Sequence, residues 1–501
     1  MSTTIFALAT PAGRSGVAII RISGSEAGAV LRAITRRELP APRMAARRKF
    51  YAAKPVDPSP HPLPQGERES QFRTPRVSDL SRLDQQREKS PSPPPTKSAY
   101  ADGAGEGWGE GSKILSDVID DGLALWFPGP ASFTGEDMAE LHIHGGPAII
   151  AAMAESLVAQ GLQPAEPGAF TRQAFDNGKL DLTEVEGLAD LIAAETEAQR
   201  RQALRQMEGA FGQRIEAWRS GLLGALARIE AAIDFPEEDL PSGLVEGVDE
   251  AMRAVGAEIA STLDDDHRGE RLREGLSVVI LGAPNAGKSS LMNALAKRDV
   301  AIVSDEAGTT RDVIELHLDL GGYPVLLADT AGLRESGNKI ETEGVRRALD
   351  RAGRADVKLI VIDGAVWPII PEATRAQIDS ASLLILNKAD LLPAQLPALS
   401  GHQLIAVSAL TGAGFPELLA ALKERASRLL ASGDQPVLTR LRHREALEDC
   451  RQTLARGLAI GPVELKAEEL RLATRALGRI TGRVDVEDVL DVIFREFCIG
   501  K

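Results

Sequence analysis

The spacing of apolar residues divides the chain into distinct textures. Residues 1–53 and 113–177 carry short apolar runs, such as Val17-Ala18-Ile19-Ile20 and Leu123-Ala124-Leu125-Trp126-Phe127, parted by Gly and Pro. Such runs predict strands separated by turns, with helical pieces at Glu26–Thr35 and Ala148–Gln160. Residues 178–272 switch to helical spacing at Leu188, Leu191 and Ile192, followed by one Ala/Arg/Glu-rich run, Ala198–Ala232. Asp234–Asp239 interrupts it, and Val245–Asp264 predicts a further helix. The same texture returns over 434–501, in Leu438–Leu458, Leu465–Gly478 and Val484–Phe497. Between the two helical stretches lie short continuous aliphatic runs, Leu276–Leu281, Val325–Ala328, Leu383–Leu386 and Leu404–Val407. Leu276–Leu281 predicts a buried strand, and the other three runs predict strands.

Residues of about 54–112 do not fit either texture. Pro58-Ser59-Pro60-His61-Pro62, Pro91–Pro95 and Gly103–Gly111 leave few aliphatic side chains to bury, so a disordered insertion in a surface loop is expected. A chain of 501 residues exceeds one hydrophobic core and predicts two to four domains. The formal charge of −14 argues against a surface that is basic throughout, so any nucleic-acid contact must come from local clusters. Arg200, Arg201 and Arg205, and the four-residue repeat Arg471, Arg475, Arg479 and Arg483, are the candidates; a solvated, acid-paired helix face explains them equally well. No apolar run approaches a membrane span. The two cysteines, Cys450 and Cys498, are too few for a disulfide framework and fit a reducing cytoplasm. Cys450, alone in a helical pattern, reads as packing.

The most specific chemistry is in the middle. Leu276–Leu281 runs into Gly282-Ala283-Pro284-Asn285-Ala286-Gly287-Lys288-Ser289-Ser290 and a helix, the strand–loop–helix context a phosphate loop requires. Its glycines let backbone N–H groups wrap phosphates, Lys288 reaches the β- and γ-phosphates, and the Ser289 hydroxyl ligates Mg²⁺. Ser304-Asp305-Glu306-Ala307-Gly308-Thr309-Thr310 follows, with Thr310 as second Mg²⁺ ligand. Asp329-Thr330-Ala331-Gly332, Asn387-Lys388-Ala389-Asp390 and Ser408-Ala409-Leu410 each end a strand. The Asp390 carboxylate accepts two guanine N–H groups, for which adenine has no counterpart, and the Ser408–Leu410 turn offers a backbone N–H to the guanine O6. Four elements in this order at strand ends predict a GTPase. Leu333 stands where many signalling GTPases carry a water-orienting Gln, and no arginine finger is evident. Another group must therefore orient water, and another cation must neutralise charge between the β- and γ-phosphates; Asn285 is placed to supply it an oxygen.

With these motifs the chain resembles the MnmE (TrmE) family of tRNA modification GTPases. The resemblance rests also on Thr4–Pro11, Ile20-Arg21-Ile22-Ser23-Gly24, Phe133-Thr134-Gly135-Glu136-Asp137 with Glu140, His144-Gly145-Gly146, Pro167–Thr171, Asn177–Leu182 and the terminal Phe497-Cys498-Ile499-Gly500-Lys501. It implies a multidomain α/β and α fold. Residues 1–177 would be an α+β folate-binding and dimerisation domain, 178–272 and 434–501 a discontinuous helical bundle, and 273–433 an inserted Ras-like P-loop G domain with a mostly parallel sheet. It further implies K⁺ held by Asn285, Ser304, the Glu306 carbonyl and Thr309, and water oriented by Glu341. A 5-formyltetrahydrofolate-type cofactor would meet Arg21, Glu140, Lys179 and Lys501; taken alone, Arg21 at a strand end reads as a surface charge. Cys498 is a candidate nucleophile or acid beside the folate one-carbon unit, or a packed thiol. The family acts as a homodimer with an FAD-containing MnmG (GidA) partner, adding a carboxymethylaminomethyl or aminomethyl group to C5 of the wobble uridine of certain tRNAs. The alternatives are a ribosome-assembly GTPase of the Era or Der type, which predicts a KH-like module or a second G domain, and a folate enzyme with a regulatory G domain.

Overall fold

The computed structural model of the chain describes residues 3–11, 13–52, 117–234, 246–302, 315–329, 353, 355–392, 404–431, 438–484, 490, 493–494, 497 and 500. The expected insertion over 54–112 and most of the helix expected over 484–497 lie outside these residues. The chain divides into two units, Met1–Ser132 with Glu136–Ala165 and Gly500, and Phe133–Gly135 with Glu166–Ile499 and Lys501.

The first unit is built on β1 (Ile5–Leu8), β2 (Ser15–Ser23), α1 (Ala27–Thr35), β3 (Ala46–Tyr51), β4 (Val118–Phe127), β5 (Met138–Gly145), α2 (Pro147–Ala159) and β6 (Gln163–Pro164). The strands form one sheet in the order β3-β4-β5-β2-β1-β6, antiparallel except for the β1–β6 pair. The strand period of two sets its buried face: Ala18, Ile20 and Ile22 of β2 lie beside Leu141 and Ile143 of β5 and face the helices through Leu31 and Leu157.

The second unit starts with the helices α3 (Ala169–Asp176), α4 (Leu182–Ala193), α5 (Glu197–Met207), α6 (Ala210–Asp234) and α7 (Glu246–Leu263). Two of these begin on reciprocal caps legible as polar residues three apart. Asp181 and Glu184 exchange side chain and backbone at the start of α4, and Thr196 and Gln199 do so at the start of α5. The run expected as one helix over Ala198–Ala232 is two. Gly209, at φ 83°, ends α5 through Gly209 N donating to Gln206 O, and a Cβ there would lie 2.8 Å from Glu184 Oε1.

The short helix α8 (Arg268–Glu274) then leads into β7 (Leu276–Gly282) and α9 (Lys288–Ala296), followed by β8 (Glu315–Asp319), β9 (Pro324–Asp329), β10 (Val357–Asp363), the one-turn α10 (Glu372–Arg375), β11 (Ser382–Asn387), β12 (Leu404–Ala406) and α11 (Phe415–Leu430). The sheet order is β12-β11-β10-β7-β9-β8, parallel except for the β8–β9 hairpin. Both of its faces are covered: Val278, Ile280 and Leu327 join one apolar cluster, Val279, Leu281 and Ile362 another. That double burial is why its strands read as unbroken aliphatic runs.

The chain closes with α12 (Leu441–Ala459) and α13 (Val463–Thr481), which pack with α6 and α7 into a bundle. Ile215, Trp218, Leu222 and Ile229 of α6 meet Met252, Leu454 and Leu477 at helical spacing. Cys450 is fully buried in this core, and burial pushes its thiol up to about 12, so it packs as expected.

Two ionic networks tie the bundle together and to the second sheet. Glu186 of α4, fully buried, takes both Nε and Nη2 of Arg442 at 2.7 Å each and lies 2.9 Å from Nε2 of the fully buried His443. Arg440 reaches Asp190 at 2.7 Å, and Arg273 of α8 shares that carboxylate at 3.3 Å. Arg271 of α8 holds Asp356 at 2.6 Å, whose other oxygen accepts from Ser277 N at the start of β7. The segment entering the second sheet is thereby braced from both sides.

Candidate functional site

Every parallel strand of the second sheet points its carboxyl end to the same edge, and the chain leaves β7 in opposite directions on its two sides. In doubly wound sheets that switch point is the ligand-binding crevice. The loop after β7 is shaped for close approach. Gly282 has φ 144° and a Cβ there would collide with Val361 O; Asn285 has φ 64° and Gly287 φ 94°. A Cβ on Gly287 would collide with Asn387 Nδ2, so only glycine fits where this loop and the end of β11 touch.

Lys288 opens α9 and donates from Nζ to Gly282 O and Ala283 O, both at 3.0 Å, which sets its ammonium across the mouth of the loop. Ser289 and Ser290 lie on the first turn of α9, whose N-terminus carries positive partial charge, and Asn285 is exposed on the loop itself, whereas Ala286 is buried beneath it.

Asn387, buried at the end of β11, joins three motifs: its Nδ2 donates to Ala286 O at 2.9 Å, and its Oδ1 accepts from Ala409 N at 3.3 Å. Lys388 follows at φ 61°, and Ala389 N donates to Val407 O at 2.9 Å. Asp390 is exposed, and its Oδ1 accepts from the buried Ser408 hydroxyl at 2.5 Å. The Ser408 hydroxyl in turn accepts from Thr411 N at 3.2 Å. Arg298 braces this loop, donating to Gly412 O at 3.4 Å and lying 4.3 Å over the Phe415 ring, while Leu410 is exposed.

The structure thus brings together the phosphate loop, Asn387-Lys388-Ala389-Asp390 and Ser408-Ala409-Leu410. Asp329 ends β9 next to β7, with Ile280 as its register partner. Ser304–Thr310, Thr330–Gly332, Leu333 and Glu341 lie outside the described residues, as do Cys498 and Lys501. Sequence reading missed Asp363, which ends β10 and holds Lys388 at 2.6 Å. Its signal was present: an acid closing an aliphatic strand, as Asp329 does. Burial pushes the Asp363 carboxyl up, but the Lys388 hydrogen bond, the Ala365 amide and the Lys388 charge outweigh that and hold it below its ordinary value.

In the first unit Arg21 and Glu140 are cross-strand partners in β2 and β5. Arg21 is not at a strand end or a free surface charge: it lies within β2 and donates from Nε at 3.1 Å and Nη2 at 2.9 Å to Glu140 Oε1, and from Nη1 to Gly500 O at 3.2 Å. Glu140 Oε2 is 3.4 Å from His142 Nε2. Lys179, in the second unit, is exposed, with its stem against the position a Gly135 Cβ would take. Several of the arginines considered for RNA are paired with acids: Arg200 and Arg201 with Glu197, Arg471 with Glu230 and Glu468, Arg479 with Asp449, Arg483 with Glu216. For these the acid-paired face is what the structure contains. No helix among the described residues is long and apolar enough to cross a membrane.

Residues 182–498 match the MnmE helical domain, and residues 4–63 and 80–179 match the GTP-binding protein TrmE N-terminus. A relative from Paramagnetospirillum magneticum, described as tRNA modification GTPase MnmE, is 49% identical over 505 residues, covering 100% of each chain. One from Parvibaculum lavamentivorans with the same description is 51% identical over 503 residues, covering 99% of this chain and 100% of its own. Among solved structures, an Aquifex aeolicus Era variant bound to GDP.AlF4- is similar at 26% identity over 35% of this chain and 65% of its own, with a TM-score of 0.24.

Proposed function

The chain belongs to the MnmE family of tRNA modification GTPases, and from that premise we propose that its GTP hydrolysis drives addition of a carboxymethylaminomethyl or aminomethyl group to C5 of the wobble uridine of certain tRNAs. It is a GTP hydrolase. The observation that supports the proposal best is the meeting of Lys288, Asn387 and the Ser408–Asp390 pair at one edge of a parallel sheet. Full-length likeness to MnmE relatives does not favour the Era or Der alternative.

In the proposed mechanism Asp390 selects guanine, Lys288 meets the β- and γ-phosphate oxygens, and Ser289 with Thr310 holds Mg²⁺. The Leu333 side chain has no polar atom to orient the attacking water, and the family resemblance gives that role to Glu341. Asn285, Ser304, the Glu306 carbonyl and Thr309 offer oxygen donors only, a set that suits a hard monovalent cation such as K⁺. Asn285, exposed at φ 64°, fits that role. When bound, K⁺ supplies positive charge where it develops between the β- and γ-phosphates. GTPase rates are expected to be about tenfold or more higher in K⁺ than in Na⁺; equal rates would remove the role of Asn285.

A tetrahydrofolate one-carbon donor is proposed to bind through Arg21, Glu140, Lys179 and Lys501. The Arg21–Glu140 pair fits this: Arg21 commits Glu140 Oε1, so the carboxylate is oriented, and Oε2, 3.4 Å from His142 Nε2, is the oxygen that would accept from a pterin edge. Flavin chemistry is assigned to an FAD-containing MnmG partner, and the working form to a homodimer in the cytoplasm. Mass spectrometry of wobble uridines from cells lacking the protein tests the reading. Loss of the C5 modification is expected; its full retention would sink the tRNA assignment while leaving GTP hydrolysis untouched.

A further inference from the structure

Lys388 stands between the guanine-site residues Asn387 and Asp390, yet its ammonium is anchored away from both, on Asp363 Oδ2 at 2.6 Å. Asp363 is the last residue of β10 and is level with Asn387 in the parallel ladder. Its two oxygens have separate partners: Oδ1 accepts from Ala365 N at 2.9 Å and caps the single turn Gly364–Val366, while Oδ2 takes Lys388. That turn is packed onto the base-reading loop, since a Cβ on Gly364 would lie 2.5 Å from Asn387 O and 3.1 Å from Lys388 O. Lys388 keeps a left-handed backbone that is unfavourable for a residue with a Cβ. Neighbouring bonds hold it there, Ala389 N to Val407 O and Leu391 N to Lys388 O, both at 2.9 Å.

A lysine in this place has two separable parts. Its four-carbon stem can cover an apolar or aromatic face, and its ammonium is a point charge on four rotatable bonds. Left loose, such a side chain would have to be ordered each time a base arrived; anchored beforehand, it would not. The pair is partly screened from solvent, with side-chain exposure of 36% for Lys388 and 19% for Asp363, so the attraction is not that of two free surface charges.

We propose that Asp363 is a positioning residue for guanine recognition: it anchors the Lys388 ammonium so that the side-chain stem is held beside the cleft between Asn387 and Asp390 before nucleotide binds. The assignment rests on the GTPase reading above and adds a residue that none of the four nucleotide motifs contains. Asp363 acts through Lys388, so the two substitutions must not be independent.

A double-mutant cycle on the full chain, read by the affinity for a fluorescent GDP analogue, tests this. Asp363→Asn keeps the oxygen that caps the Gly364–Val366 turn and removes the charge facing Lys388. It is expected to weaken GDP binding about five- to tenfold, mainly through faster release, with the melting temperature unchanged. Lys388→Met keeps an unbranched stem without the ammonium; in that background Asp363→Asn is expected to change the affinity less than about twofold. Equal losses in both backgrounds would overturn the proposal, as would tighter GDP binding by Asp363→Asn alone. Should Asp363→Asn not fold, Lys388→Arg against Lys388→Met gives the same reading, because arginine can still reach Asp363 as a cation. Affinity kept by Arg and lost by Met supports the anchor, and affinity kept by Met overturns it. If the unmodified chain binds ADP as well as GDP, the guanine-nucleotide reading itself fails, which is a distinct result.

Discussion

Replacing Asp390 by Asn is expected to weaken GDP binding by about a thousandfold or more and to make xanthosine diphosphate the better ligand. The reason lies in what each side chain offers the base. A carboxylate accepts from both the ring N–H and the exocyclic amine of guanine, whereas an amide carries one acceptor and one donor. Guanine would then meet a donor with its own donor and leave a polar group unpaired, the costliest kind of mismatch in a recognition site. Xanthine has a carbonyl in place of the amine and would pair. The structure adds a condition on this exchange. Ser408 Oγ donates to Asp390 Oδ1 at 2.5 Å, and the hydroxyl accepts in turn from Thr411 N. In the Asp390→Asn variant only the amide oxygen can accept from Ser408, so the amide is held in one orientation. Removing that hydroxyl as well, by Ser408→Ala, is therefore expected to erase most of the preference for xanthine. Isothermal titration with GDP and xanthosine diphosphate reads both effects; GDP affinity within tenfold of the unmodified chain would sink the assignment of Asp390.

That condition was invisible in the sequence, and the contrast shows what a linear reading reaches. The phosphate loop was legible because its chemistry is contiguous: strand, glycines, Lys288 and helix follow one another, and β7 and α9 stand where the pattern puts them. The strands β9, β11 and β12 were legible because burial on both faces leaves no alternation to misread. Side chains that work in pairs across the fold were not. Arg21 and Glu140 are 119 positions apart, Lys388 and Asp363 25, and Arg442 and Glu186 256. Each partner alone looks like a charge on an amphipathic element, and only the strand register or helix packing supplies the other. The helix break at Gly209 failed for a different reason. A lone glycine inside a helical run costs only about 1 kcal/mol, so its presence does not announce a left-handed stop.

The Glu186 cluster is the most consequential of those long-range pairs, and its removal should be felt throughout the bundle. Glu186→Ala is expected to destabilise the packing of α4 on α12 by about 3–5 kcal/mol, because it strands the Arg442 guanidinium inside the protein without a counter-charge. Arg442 also donates to Ile480 O at 3.2 Å, which fixes it in place and prevents an easy escape to water. The converse follows from the same physics. Replacing both partners by apolar residues, Glu186→Leu with Arg442→Met, is expected to recover much of the loss, since desolvation of the pair disappears with it. Acid should act on the cluster in two stages. Burial pushes the His443 imidazole below its ordinary value, the Arg442 and Arg440 charges adding to this against the pull of Glu186, so His443 is neutral and donates from Nε2 to Glu186. Its Nδ1 is then a buried acceptor without a hydrogen-bond partner among the described residues. Burial pushes the Glu186 carboxyl up, but His443 and Arg442 outweigh that and hold it well below the carboxylate range. Both groups bind protons more weakly when folded than when unfolded. Their contributions are complete above about pH 6.5, and His443's starts to be lost as the pH falls below that. The Glu186 contribution follows as the pH falls through about 4.5 towards its depressed folded value. Hydrogen exchange over Leu441–Ala459 measures the result locally, without requiring the whole chain to unfold at once. Protection in this helix should fall at least about a hundredfold in Glu186→Ala at neutral pH, and the acid-induced loss below about pH 4.5 should be smaller in that variant because the carboxylate is gone. Unchanged protection at neutral pH would show that water or rearrangement satisfies Arg442, and that the cluster does not hold α4 to α12.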